Sequence, residues 1–137
     1  MLFLFFAFAR TTATAQDNST QTSHNSPVKK STMQVILIDR FVVPNAVKAQ
    51  FLERMKISRD FIKTLALSGF IEDSAYEEPG ETESHYVTIA VWQDEASIQK
   101  ARQIVSQEYQ KEGFNMPEFI KKLNIQMERG FYKKVEE

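Results

Sequence analysis

Few side chains in this sequence could do chemistry, and the absences narrow the field first. There is no cysteine, which excludes disulfides, thiol nucleophiles and iron–sulfur ligation. Asp39 interrupts an otherwise apolar strand-like run, MQVILIDRFVV, and a carboxylate in a covered strand needs a partner or a function. It either serves a pocket as a proton acceptor or pairs with a cation elsewhere in the chain. Trp92, the single tryptophan, stands where HYVTIAVW gives way to an Asp-capped helix. Its ring is either a pocket wall with an N–H donor for an aromatic ligand or a core residue filling the corner between strand and helix. His85 follows Glu83 at a spacing of two, so on a strand both side chains point the same way and offer a nitrogen and an oxygen to a metal. Two ligands are too few, so no metal site is expected.

Other chemistries lack their signatures. The four glycines form no G-x-G-x-x-G fingerprint and no phosphate-cradling loop. No G-x-S-x-G elbow occurs, and the histidine of the folded part has no evident partner in a serine triad. Formal charge is −1 overall. The first 32 residues hold Arg10, Lys29 and Lys30 against Asp17, which leaves −3 on the rest, so the basic stripe that nucleic-acid binding needs is missing.

The elements that must position these residues can be read in order. MLFLFFAFA, too short to span a bilayer, suits the apolar region of a signal peptide, and Ala13-Thr14-Ala15 supplies small residues for cleavage. Residues 1–15 are therefore expected to be a signal peptide, which implies a periplasmic or secreted protein with no stable membrane span. Residues 16–32, rich in Ser, Thr, Asn and Gln, cannot bury enough surface to offset their ordering entropy and are expected to be a polar linker. About 105 residues remain, enough for one domain over 33–137.

Within that domain, Met33–Val43 reads as a strand ended by Pro44, and Asn45 as the cap of a helix with Val47, Phe51, Met55, Ser58, Ile62 and Leu65 along one stripe. Gly69 is placed to stop it. Phe70–Tyr76 and His85–Trp92 form a hairpin with an acidic tip at Glu77, Glu78, Glu81 and Glu83. Asp94 caps a second helix that Gly113 ends, Pro117 opens a short third one, and Ile125–Val135 returns to strand alternation. The order β-α-β-β-α-β is the split βαβ arrangement, a ferredoxin-like α+β domain with a four-stranded antiparallel sheet. Apolar residues of both parities in the first strand call for cover on both faces. Two sheets packed face to face in a homodimer would supply it.

QVILIDRFVVP, the helix bearing FLERM, the SGF turn and above all VTIAVWQDEASIQKA resemble the antibiotic biosynthesis monooxygenase family. The resemblance runs over essentially all of Met33 to Glu137, including MERGFYKKV. It implies a dimeric α+β barrel and, from characterised members, oxidation of polycyclic aromatic compounds or quinols without flavin, metal or other cofactor, so a small aromatic or quinol-type substrate is expected here. Trp92 matches a tryptophan lining the family's pocket, and Asp39 stands where several members carry asparagine. Asp39 and Trp92 are the expected catalytic residues, and Trp92, Tyr86 and His85 the expected substrate contacts. Haem-degrading members also match at Trp92 but use a histidine iron ligand on the second helix, and Asp94–Glu112 contains no histidine. A non-enzymatic alternative, a small-ligand-binding or stress-related dimeric barrel protein, stands beside the oxygenase reading because fold does not determine function.

Overall fold

The computed structural model describes residues 33–136, so the expected signal peptide and linker lie outside the described residues. Strand β1, Val35–Pro44, leads through a 3₁₀ turn at Asn45–Val47 into helix α1, Lys48–Leu65. Strands β2, Phe70–Glu78, and β3, Glu83–Trp92, form the hairpin. Helices α2, Glu95–Glu112, and α3, Met116–Lys122, precede strand β4, Gln126–Lys133. The sheet order is β2-β3-β1-β4 with every pair antiparallel, as the split βαβ reading requires. This is the ferredoxin-like α+β fold.

Alternation along β1 and β3 sorts the side chains onto two faces. Val35, Leu37, Asp39, Phe41 and Val43 from β1, with Ser84, Tyr86, Thr88, Ala90 and Trp92 from β3, lie buried beneath the helices. Ile36, Ile38 and Val42, with Val87, Ile89 and Val91, take the outer face and are only partly buried. The helix stripe read from sequence is the one used: Phe51, Met55, Ser58 and Ile62 are the buried residues of α1.

The interior divides into two apolar halves. Val35, Leu37, Ile62, Ala90, Trp92, Ile98, Ala101, Val105 and Tyr109 pack in one, and Phe41, Val43, Phe51, Met55, Tyr86, Met116 and Ile125 in the other.

Two boundary signals act differently from the expectation. Asn45 does not cap α1, whose preceding residue Val47 makes no side-chain capping bond. Its amide instead donates to the Gly80 and Glu81 carbonyls at 2.8 and 3.0 Å and accepts from Ser84 Oγ at 2.8 Å, tying the end of β1 to the hairpin turn. Gly69 does not end α1 either, because Ala66 takes the left-handed conformation there at φ 45°. Gly69, at φ 82°, serves a close approach instead, since a Cβ at that position would sit 2.0 Å from Ser97 Oγ. Its carbonyl accepts from the Gln93 N–H at 2.7 Å, so the bare backbone lets the start of α2 close down beside Trp92. Asp94 caps α2 as read, accepting from Ser97 N at 2.8 Å, and Gly113 ends it at φ 66°.

Candidate active site

Asp39 is the buried acid that the strand pattern flags, and it is 1% exposed. Its partner comes from the far end of the chain. Arg129 Nε donates to Oδ1 at 2.7 Å and Nη2 to Oδ2 at 2.9 Å, a two-pronged pair across the register between β1 and β4. Burial raises the Asp39 carboxyl above its ordinary range, while the Arg129 charge and hydrogen bonds pull it the other way. On the opposite side Asp39 is paired in register with Thr88, also 1% exposed, so Arg129, Asp39 and Thr88 form a polar row across the sheet.

That row falls between the two apolar halves, since Leu37 and Ala90 belong to one and Phe41 and Tyr86 to the other. Helix α1 repeats the division: Met55 packs in one half, Ile62 in the other, and the buried Ser58 lies between them in sequence. Ser58 Oγ accepts from the Tyr109 hydroxyl of α2 at 3.2 Å. Burial raises the Tyr109 hydroxyl above its ordinary range, opposed by the Ser58 bond and the nearby Arg54 charge. Two polar pairs therefore interrupt an otherwise apolar interior, an ion pair on the sheet and a hydroxyl pair between the helices.

Trp92 lies in the apolar half toward α2, 0% exposed, with Phe70 edge-on at 5.4 Å. Its Nε1–H makes no hydrogen bond to a described residue. Tyr86 lies in the other half, against Phe51 at 5.1 Å between ring centres. Its hydroxyl sits near the Lys48–Glu77 pair without a hydrogen bond of good geometry. Burial, then Glu77, raises the Tyr86 hydroxyl above its ordinary range. An indole N–H without a partner is costly in a dry core, and such a group asks for a ligand atom or a water.

Three of the expected site residues thus share the helix-covered face: Asp39, Tyr86 and Trp92. His85 does not join them. By strand alternation it points to the outer face, its side chain half exposed, with Glu78 3.9 Å from Nδ1 and Glu83 3.7 Å from Nε2. No group of three or more metal-ligating side chains occurs among the described residues. His85 lines an outer depression of about 230 Å³ with Arg40, Val42, Val87, Gln126 and Glu128, and Phe41, Tyr86 and Met127 also border it.

Arg129 and Thr88 were not singled out from sequence. The inward parity of Ile125, Met127, Arg129 and Phe131 carried the signal for the arginine, since a cation on the inward parity of one strand is the natural partner for an acid on that of another. Thr88 carried no such signal, because threonine is common in strands.

No protein-family model matches the chain, and comparison with curated proteins gives no match. Solved structures do match. SnoaB, a cofactor-independent oxygenase from Streptomyces nogalater, aligns in a mutant form at 22% identity and TM-score 0.56, over 76% of this chain and 95% of that one. A dimeric ferredoxin-like protein from an uncultured marine organism aligns at 13% identity and TM-score 0.58, over 77% and 98%. A conserved protein from Methanosarcina mazei Go1 aligns at 19% identity and TM-score 0.57, over 76% and 95%. In fold, the chain is a ferredoxin-like α+β protein, similar to the oxygenase SnoaB and to the dimeric ferredoxin-like protein.

Proposed function

We propose that this domain is a cofactor-independent monooxygenase acting on a small aromatic or quinol-type substrate held between the sheet and the helices. The observation that carries the reading is the indole N–H of Trp92, which makes no hydrogen bond to a described residue, on the same buried face as the polar row at Asp39. Thr88 and Trp92 are four residues apart on one face of β3, a span of roughly 13 Å along the strand, so a ligand touching both is multi-ring in size. An electron-rich substrate anion reacts with dioxygen itself, and the protein's part is to bind, exclude water and stabilise the anion. Asp39 takes the proton from the substrate hydroxyl, and the Trp92 N–H donates to a substrate oxygen. Trp92 is fully enclosed, so the substrate reaches its ring by displacing neighbouring side chains, of which Phe70 is the edge-on one.

The working unit is a homodimer joined through the outer sheet faces, whose apolar centre is Ile36, Ile38, Val87, Ile89 and Val91. Relatives in fold are described as dimeric, which supports this assembly. Export to the periplasm or beyond, expected from residues 1–15, belongs to the same proposal.

A second reading has its own observation. Asp39 already receives two hydrogen bonds from Arg129, as a structural ion pair would, and this favours a ligand-binding barrel without chemistry. Oxygen uptake by metal-free and flavin-free protein, with a panel of quinols and anthrone-like phenols, separates the two. The oxygenase reading expects uptake above the buffer rate that falls about 10²- to 10⁴-fold in Asp39→Ala. No uptake with any of them leaves the binding reading in its place.

A further inference from the structure

The Asp39–Arg129 pair can do more than neutralise a buried charge. We propose that Arg129 is a catalytic anion-binding group that holds the phenolate formed when Asp39 takes the proton from the substrate hydroxyl. The inference rests on the oxygenase reading and assigns the second half of its acid–base step.

The geometry is that of a proton acceptor and a cation fixed side by side. Arg129 Nε and Nη2 bind one carboxylate oxygen each, at 2.7 and 2.9 Å. A carboxylate offers about four lone-pair positions, so a substrate O–H can approach Asp39 while both of these bonds stay in place. Before transfer the site holds a carboxylate, a guanidinium and a neutral phenol. Afterwards it holds a carboxylic acid, the same guanidinium and a phenolate. One O–H bond breaks on the substrate, one forms on Asp39, and the net charge of the three groups is zero throughout. Without the guanidinium the same transfer would still leave one negative charge in a site that excludes water, on a phenolate lacking any fixed cation. Arginine suits this role because it keeps its proton at any working pH and presents its donors in a rigid fork.

Position on the fold supports access. β4 is an edge strand, and the Arg129 side chain is 15% exposed against 2% for Asp39. Along the same face, Met127 is half-buried and Phe131 is 57% exposed, so the apolar flank beside the guanidinium opens toward the sheet edge. A flat phenol sliding in from that edge would meet the apolar flank first and the ion pair next.

Binding of para-nitrophenol to the full chain, followed by the absorbance of its anion at a pH below the ionisation of the free phenol, reads the proposed state without turnover. Wild type is expected to bind the probe ionised, and Arg129→Met to lose the anion signal together with about 10²- to 10³-fold in oxygen uptake, the usual effect of removing one anion-stabilising donor. Since Arg129→Met leaves a buried acid alone, the double variant Asp39→Leu/Arg129→Met serves as the folded control, checked by circular dichroism. Buried ion pairs replaced by apolar side chains commonly keep the fold. Probe bound neutral by wild type, or ionised equally by the folded double variant, overturns the inference. Uptake by wild type that persists unchanged in Arg129→Met overturns it while leaving the oxygenase reading standing. Ionised probe without uptake of oxygen on any quinol does the reverse: the anion site stands and the oxygenase reading falls.

Discussion

The two faces of this sheet are made from the same two central strands, yet they obey different rules. Under the helices, β1 and β3 bury an acid, a threonine, a tyrosine and the tryptophan among apolar neighbours. On the outer face they set out Ile36, Ile38, Val42, Val87, Ile89 and Val91, half-buried, with Arg40 and His85 toward one end. A strand alternates by geometry, so one sequence serves both faces at once and each residue can be assigned to a face by parity alone. The difference teaches where chemistry and assembly belong. Polar groups whose hydrogen bonds are completed only by another buried group, or not completed at all, are concentrated on the helix side. The outer face offers apolar area at its centre and the depression beside Arg40 and His85 toward one end.

A charge placed on each face should therefore fail in a different way. The largest effect is expected outside: Ile38→Glu puts a carboxylate at the centre of the proposed interface, and the dimer should separate into folded monomers by light scattering at micromolar concentration. A dimer that survives the substitution would locate the interface elsewhere.

Next comes the ion pair. Arg129→Met strands the buried Asp39 and should cost about 3–5 kcal/mol in chemical denaturation, whereas Asp39→Leu/Arg129→Met should recover most of that loss. Equal losses in both variants would mean that the pair's packing, not its charge, holds the region. The same carboxyl leaves a pH signature. Its folded-state pKa is raised, first by burial, so the stability it contributes is fully present below the ordinary carboxylate pKa and lost as pH rises through the raised value. Wild type should weaken over that window relative to Asp39→Asn, and parallel pH profiles would contradict the shift.

The smallest effect marks the background. Lys56 and Asp60 form an i,i+4 pair on the solvent side of α1 at 3.0 Å, with 78% and 59% of their side chains exposed. Lys56→Ala should change stability by about 0.3–0.5 kcal/mol, as exposed helix pairs do.

Much of this comparison was legible in the sequence because it depends on local patterns. The two-sided apolar parity of β1, the Asp94 cap, the Gly113 stop and the stripe of α1 are all short-range signals, and each appears in the structure at the residues read. Asn45 and Gly69 were read as helix punctuation because punctuation is their commonest local use. Their actual partners, the Gly80 and Glu81 carbonyls and the start of α2, are brought near only by the hairpin and the crossover. Arg129 stands 90 residues from Asp39, and no window on the chain contains both. His85 and Tyr86, both expected as substrate contacts, are neighbours in sequence, and strand alternation turns them onto opposite faces.

The central claim is that ligand binds on the helix side, against Trp92. Because Trp92 is the only tryptophan, its fluorescence reports that place alone. Titration with a quinol should give a saturable change in Trp92 emission whose midpoint matches the binding constant from equilibrium dialysis. Binding by dialysis with unchanged Trp92 emission would put the ligand elsewhere and contradict the account.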